Sequence, residues 1–167
     1  VAKDLPMTRR PSPLLAAALG AALLAPVPLH AAGQGDQSVQ RRLKAQSINY
    51  EIDKDGDFRI TYNYKKEGRT QLVFVSGKTE IVGGVPVREV FAPAAKADAL
   101  DGAKALELLR ASRRAKLGSW EIGGDYLYFV IKVPDTVTAK QLEAALDVAA
   151  EVADDKELEL TGARDEF

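Results

Sequence analysis

Two segments of alternating apolar and polar residues, each folded back at a glycine-containing turn, most strongly constrain the fold of this chain. Residues 48–65 alternate on both sides of Asp55-Gly56, and residues 119–133 do so around Gly123-Gly124-Asp125. Side chains of a strand point alternately to the two faces of a sheet, so each segment predicts strands with one buried face. Asp-Gly and Gly-Gly also tolerate the positive φ of a tight turn. We therefore predict two β-hairpins in an antiparallel sheet.

The segment between the hairpins predicts one further strand and a weaker candidate. Residues 71–75 are apolar on both faces, which is typical of a central strand. Residues 85–91 follow a Gly-Gly turn but contain Pro86, which has no N–H to donate to a ladder. We expect this segment to be an edge strand at most, followed by a connector at residues 92–97.

Three helices are predicted from apolar spacing and capping residues. Ser38 can cap a first short helix, and residues 98–116 form a second with a basic outer side. The third begins at Thr138, where Gln141 completes a capping box, and ends near Gly162. The order α-βββ-(β)-α-ββ-α has no βαβ units. It predicts an α+β domain with an antiparallel sheet of about five strands and helices mainly on one face.

The first 31 residues have the order of a secretory signal peptide. Basic Arg9-Arg10 precedes an apolar run at residues 14–24, and small residues lead to Ala31-Ala32. The run is much shorter than the roughly 20 residues that span a bilayer, so we expect cleavage and no stable membrane span afterwards. Initiation at Met7 would leave residues 1–6 untranslated. We expect a periplasmic protein of a Gram-negative bacterium, with a flexible lead at residues 32–37 and a single domain at residues 38–167.

The composition excludes several chemistries once the leader is removed. The chain has no Cys and one His, and that residue is His30 in the leader. Disulfides, histidine-bound metals and a Ser-His-Asp triad are therefore absent from the mature sequence. Ser119 lacks the second glycine of a nucleophile elbow, and the Gly-Gly pairs lack phosphate-loop spacing. We expect no cofactor, no resident metal and no enzyme activity. A hydrolase that uses carboxylates alone is the least favoured alternative.

Three aspartates lie at the turn of the first predicted hairpin. Asp53, Asp55 and Asp57 resemble the start of a calcium loop, but Gly56 is fourth where an EF-hand needs glycine sixth, and Tyr64 is twelfth where it needs glutamate. We expect a solvated turn. Whether these carboxylates gather a cation is left open by the sequence.

Two surfaces stand out as candidate binding sites. If helices cover one face of the last hairpin, Tyr126, Tyr128 and Val130 form an apolar strip on the other, which is typical of an interface or of a second internal layer. Basic residues on the second helix form a possible anion contact, namely Arg110, Arg113 and Arg114. A solvated helix face has the same pattern. The net charge of −1 argues against a nucleic-acid binder.

Two stretches of the chain resemble a known family. They are the run from Tyr50 to Phe58, Tyr-Glu-Ile-Asp-Lys-Asp-Gly-Asp-Phe, and the C-terminal part from Gly118-Ser-Trp-Glu-Ile to residues 162–167. Together they resemble the YbjN-like family, which is associated with sensory transduction and has a fold similar to that of type III secretion chaperones. The resemblance covers most of residues 38–167. It implies a small, often dimeric domain that is not an enzyme and that binds protein segments or takes part in regulation.

The sequence therefore predicts a binding or regulatory module. The first expectation is that it binds a partner polypeptide or a second copy of itself as a homodimer, through the Tyr126 and Tyr128 face or a sheet edge. The alternative is a periplasmic small-ligand sensor, with a pocket between the sheet and the central helix where Arg110 or Arg113 meets an anion. Secretion chaperones act in the cytoplasm, so an exported chain would have a different binding task.

Overall fold

An antiparallel sheet forms the centre of the fold. The computed structural model describes residues 35–162 and 165–167, so the predicted leader lies outside the described residues. The strands are β1 (Glu51–Ile52), β2 (Phe58–Tyr64), β3 (Arg69–Val75), β4 (Glu80–Val82), β5 (Val85–Lys96), β6 (Ser119–Gly123) and β7 (Tyr126–Pro134). The helices are α1 (Gln37–Ala45), α2 (Gly102–Arg114) and α3 (Ala139–Thr161), with a 3₁₀ turn at Ala97–Ala99.

The sheet order is β1-β2-β3-β5-β7-β6, and β4 pairs with the start of β5. Every pairing is antiparallel. The α+β class, the antiparallel sheet and both hairpins are confirmed. The described residues contain seven strands where about five were expected, because the weak candidate at residues 85–91 is a full strand and β4 is only three residues long, too short to show an alternating pattern.

The prediction for the segment around Pro86 was wrong. β5 is a 12-residue strand in the middle of the sheet, and it runs through residues 92–96, which were expected to be a connector. Both of its prolines lie at the margins of regular pairing, and at Pro86 the Arg42 guanidinium donates to the Asp135 carbonyl in place of the missing N–H. Pro86 is near the start, where its carbonyl accepts from the Asp135 N–H, and Pro93 lies at a register shift between β5 and β7. A central strand can therefore contain proline at its irregular positions.

One face of the sheet packs against α3, and α1 packs against α3 in turn. The alternation in β7 directs Leu127, Phe129 and Ile131 into this core, as expected, because each is at most 1% exposed. The stripe of α3 that meets them includes Leu142 and Leu146. Within the described residues, no helix is both long and apolar enough to cross a membrane.

The helix ends follow local chemistry, with two differences from expectation. The capping box of Thr138 and Gln141 is present, and Gly162 ends α3 with φ of 66°. α1 is capped by Asp36, whose carboxylate accepts from the N–H groups of Ser38 and Val39. α2 is shorter than predicted because Asp101 caps it, so that residues 98–101 lie outside the helix.

Candidate functional site

Four aromatic rings form a continuous strip across three strands on the sheet face opposite α3. Phe74 of β3 stacks on Phe91 of β5 at 5.2 Å between ring centroids, and Phe91 meets Tyr128 of β7 edge-on at 5.8 Å. Tyr126 continues the row at 6.2 Å from Tyr128. We call these four residues the aromatic strip. All four are partly exposed. Burial raises the pKa of Tyr128, and the neighbouring Tyr126 adds to the effect.

The structure brings the three predicted interface residues onto this face and adds two that were not predicted. Val130 is on the same side of β7 as the tyrosines, but it is only 7% exposed and so contributes little to the open surface. Phe74 and Phe91 belong to the strip because β5 is central and carries Phe91 next to Tyr128. The sequence signal was the aromatic residue at the end of each apolar run. Because the sequence does not give the position of β5, it could not show that these aromatic residues lie beside β7.

Charged groups of β5, β6 and β7 border the strip. The Lys132 ammonium donates to Glu121 at 2.8 Å and lies 3.6 Å from a carboxylate oxygen of Glu89. Hydrogen bonding to Glu121 raises the pKa of Lys132, so this lysine stays charged at neutral pH. The strip therefore has an apolar centre and a polar rim, which is the usual anatomy of a protein interface.

The sheet splits beside the strip, between β3 and β5. These strands share two register pairs, at Phe74 and Val75, whereas β2 and β3 share seven and β5 and β7 share nine. Gln71 bridges the split from the core side, because its amide donates to the Pro93 carbonyl at 2.8 Å. The Gln71 side chain is fully buried, and its Oε1 has no partner among the described residues.

The segment Asp165–Phe167, after α3, lies at the same end of the sheet as Tyr126. Asp165 accepts from the Thr70 N–H at 3.1 Å and from the Thr70 hydroxyl at 3.4 Å. The Glu166 N–H donates to a carboxylate oxygen of Glu157 at 2.6 Å. The Phe167 ring meets Tyr126 edge-on at 5.9 Å. Phe167 thus extends the aromatic strip by a fifth ring.

Only one of the three residues of the predicted anion contact lines a cavity. Arg110 and Arg113 lie exposed on α2 and do not line it. Arg114 does line a groove of about 560 Å³ between α2 and α3, together with Lys116 and Lys156. Trp120 and Phe129 line the same groove and contact each other at 5.1 Å. The groove is close to the predicted pocket, but a different arginine faces it.

The aspartates of the first hairpin turn bind the backbone. Asp53 accepts from the N–H groups of Asp55 and Asp57, and Asp57 accepts from the Gly77 N–H. In residues 35–162 and 165–167, no group of three or more acidic or histidine side chains is arranged to hold a metal ion. The aspartates in the sequence therefore indicated a turn, in which Asp side chains accept from nearby N–H groups.

The sequence analysis did not predict a buried ionic cluster around Arg88. Arg88 is 1% exposed on the core side of β5, and it donates to Asp135 at 2.7 and 3.1 Å and to Asp36 at 3.1 Å. Arg42 of α1 also donates to Asp135, at 2.6 Å. The cluster ties α1, β5 and the segment before α3 together. It was not visible in the sequence because its members are far apart along the chain.

Comparison with known proteins supports the fold. No family model and no curated protein matches the chain. Similar solved structures include a chain from the HopA1–SchA chaperone–effector complex, with a TM-score of 0.51 and 6% identity over 70% of this chain and 88% of that one. They also include YbjN from E. coli, with a TM-score of 0.39 and 10% identity over 74% and 89%. The first likeness confirms a chaperone-like α+β fold.

Proposed function

We propose that this protein is an exported, non-enzymatic module that binds a partner polypeptide on the open face of its sheet. The observation that carries the proposal is the continuity of the aromatic strip across β3, β5 and β7. Aromatic residues supply large, rigid contact area and dominate the energetics of many interfaces. Four partly exposed rings in one row, bordered by ion pairs, are suited to a polypeptide that lies across the strands.

The similar solved structure agrees with this proposal. It contains a chaperone in complex with an effector, so a protein of that fold class is found together with another polypeptide. Export to the periplasm is part of the proposal and rests on the basic, apolar and small-residue order of residues 1–31. A homodimer through the same face is the alternative partner.

The proposal is tested by selecting peptides from a random dodecapeptide phage library with the purified protein. We expect the wild type to enrich a consensus and the double variant Tyr126→Glu with Tyr128→Glu to enrich none, because two carboxylates would face an apolar ligand. The matched control is Thr61→Glu with Asn63→Glu, which adds the same charge to exposed positions of β2 on the same face. Equal enrichment by the wild type and the Tyr126/Tyr128 variant would exclude the strip as the binding surface.

The groove between α2 and α3 favours a second candidate function, the binding of a small amphipathic anion. Its apolar lining from Trp120 and Phe129 and its basic Arg114 and Lys116 would suit a fatty-acid-like molecule. Asp155 and Glu159 also line the groove, and Glu159 pairs with Lys156, so the anion would be bound at the α2 side. Trp120 is the one tryptophan of the chain, so its fluorescence reports directly on the groove. Titration with decanoate should shift the emission of the wild type but not that of Arg114→Glu with Lys116→Glu. An unchanged spectrum and melting temperature up to millimolar decanoate would exclude this candidate.

A further inference from the structure

The chain itself holds a short segment against one end of the aromatic strip. Three contacts hold Asp165–Phe167 in place: a carboxylate on Thr70, a main-chain N–H on Glu157 and a ring on Tyr126. These contacts come from β3, α3 and β7, so three separate elements bind the segment. Asp165 and Glu166 are themselves exposed, and Phe167 is half-buried against the sheet.

We propose that Asp165–Phe167 is an internal ligand of the aromatic strip, and that partner segments which bind there carry an acidic residue two positions before an aromatic one. This inference rests on the proposed function, because it takes the strip as the partner-binding surface. The segment and a partner then compete for Tyr126 and Thr70, so that the internal segment lowers the apparent affinity for the partner.

The geometry accounts for each part of this preference. The N–H and hydroxyl of Thr70 donate to different oxygens of the Asp165 carboxylate, so an acidic side chain, with two acceptor oxygens, fits the first position. The second position contributes its backbone N–H, which donates to a Glu157 carboxylate oxygen. The third position meets the Tyr126 ring edge-on, a geometry that favours an aromatic residue.

The gap between β3 and β5 is the reason that the Thr70 N–H is available. Thr70 pairs with Asn63 on its β2 side, but the register pairs with β5 stop at Phe74. A buried or half-buried backbone donor needs a partner, and Asp165 provides it. A partner segment that displaced Asp165 would have to supply an acceptor of its own at this position.

The first test is an NMR titration of the full chain with an amidated peptide that has the sequence of residues 162–167. Phe167→Ala should release the segment and change the amide signals of Thr70 and Tyr126, and the peptide should restore them. Because an attached segment has an effective concentration in the millimolar range, the wild type should need at least about 10-fold more peptide. The same peptide with alanine in place of its phenylalanine is the control, and it should restore nothing.

A second measurement separates this inference from the proposed function. Peptides selected by the phage experiment should bind Phe167→Ala at least about 10-fold more tightly than the wild type, and should carry the acidic and aromatic pair. Equal affinities together with a consensus lacking that pair would overturn the internal ligand while leaving the strip as the partner site. No selection by either protein would overturn both the internal ligand and the proposed function.

The NMR titration has its own control variant. Tyr126→Ala in the Phe167→Ala background should abolish the peptide effect. Its persistence would show that the peptide binds elsewhere.

Discussion

At the scale of single residues, the side chains that matter most to this fold are buried charges. Arg88 lies in the core with carboxylates on two sides, and Asp36 contributes to the cluster while also capping α1. Burial alone would raise the pKa of Asp36. Hydrogen bonds from Ser38 and Val39 and the charge of Arg88 outweigh burial and lower the pKa from 3.8 to about 2. One carboxylate therefore stabilises a helix end and a core cation together.

We predict that Arg88→Met lowers the free energy of unfolding by about 3 kcal/mol, because Asp36 loses its cation and Asp135 keeps only Arg42 as a charged partner. Urea denaturation followed by circular dichroism measures the change. The control is Arg59→Met, since the ion pair of Arg59 with Glu51 is solvent-exposed and should be worth less than about 1 kcal/mol. Similar losses in the two variants would contradict a structural role for the buried cluster.

At the scale of elements, the position of β5 decides which surface the molecule presents. It joins the β2–β3 hairpin to the β6–β7 hairpin, and only its central place aligns Phe91 with both Phe74 and Tyr128. Its irregular carboxyl half also opens the split that Gln71 fills. The same strand therefore builds the aromatic strip and the gap next to it.

We predict that Gln71→Met destabilises the protein by about 1 kcal/mol, because the buried Pro93 carbonyl loses its donor and the removal of the unpartnered Oε1 offsets only part of that cost. The loss is read from the urea midpoint. Thr61→Met on the neighbouring strand is exposed and should change stability by less than about 0.5 kcal/mol. A neutral effect of Gln71→Met would mean that the split closes without this side chain.

The start of α3 gives a second prediction at this scale. Thr138→Ala removes one half of the capping box and should cost about 1 kcal/mol, because the Gln141 N–H loses its acceptor. Thr136→Ala, two residues earlier and exposed, is the control. Thermal unfolding of the two variants should show a lower melting temperature for Thr138→Ala alone.

At the scale of the whole molecule, acids whose pKa values are shifted in opposite directions shape the response to pH. The pKa of Asp135 is lowered, since hydrogen bonds from Arg88 and Arg42 outweigh the effect of burial. Burial raises the pKa of Glu157, and the hydrogen bond from the Glu166 N–H only partly opposes it. The first kind of group stabilises the folded state when ionised, and the second destabilises it when ionised.

We predict that stability is highest in the mildly acidic range. As pH falls from about 4 to about 2, protonation of Asp36 removes its contribution, so stability decreases. As pH rises above the ordinary pKa of 4.5 for a glutamate, the folded state must ionise Glu157 against its raised pKa, so stability also decreases. Urea midpoints between pH 2 and pH 8 measure both limbs. Arg88→Met should flatten the acid limb and Glu157→Gln the other; an unchanged profile in either variant would contradict its assignment.

The sequence by itself determined the two hairpins, the buried face of β7, the capping box of α3 and the placement of Tyr126 and Tyr128 opposite the helices. These features depend on alternation, turn chemistry and capping, which act between residues close together along the chain. The family resemblance also gave the fold class correctly.

Only the tertiary structure decided that β5 is central, that Phe74 and Phe91 complete the aromatic strip, that Arg88 is buried with Asp36 and Asp135, and that Phe167 returns to Tyr126. Each of these joins residues that are distant in sequence. Strand order and side-chain pairing at such distances are set by how whole elements pack. A local pattern can show which face of a strand is apolar, but it cannot show which neighbour will lie beside it.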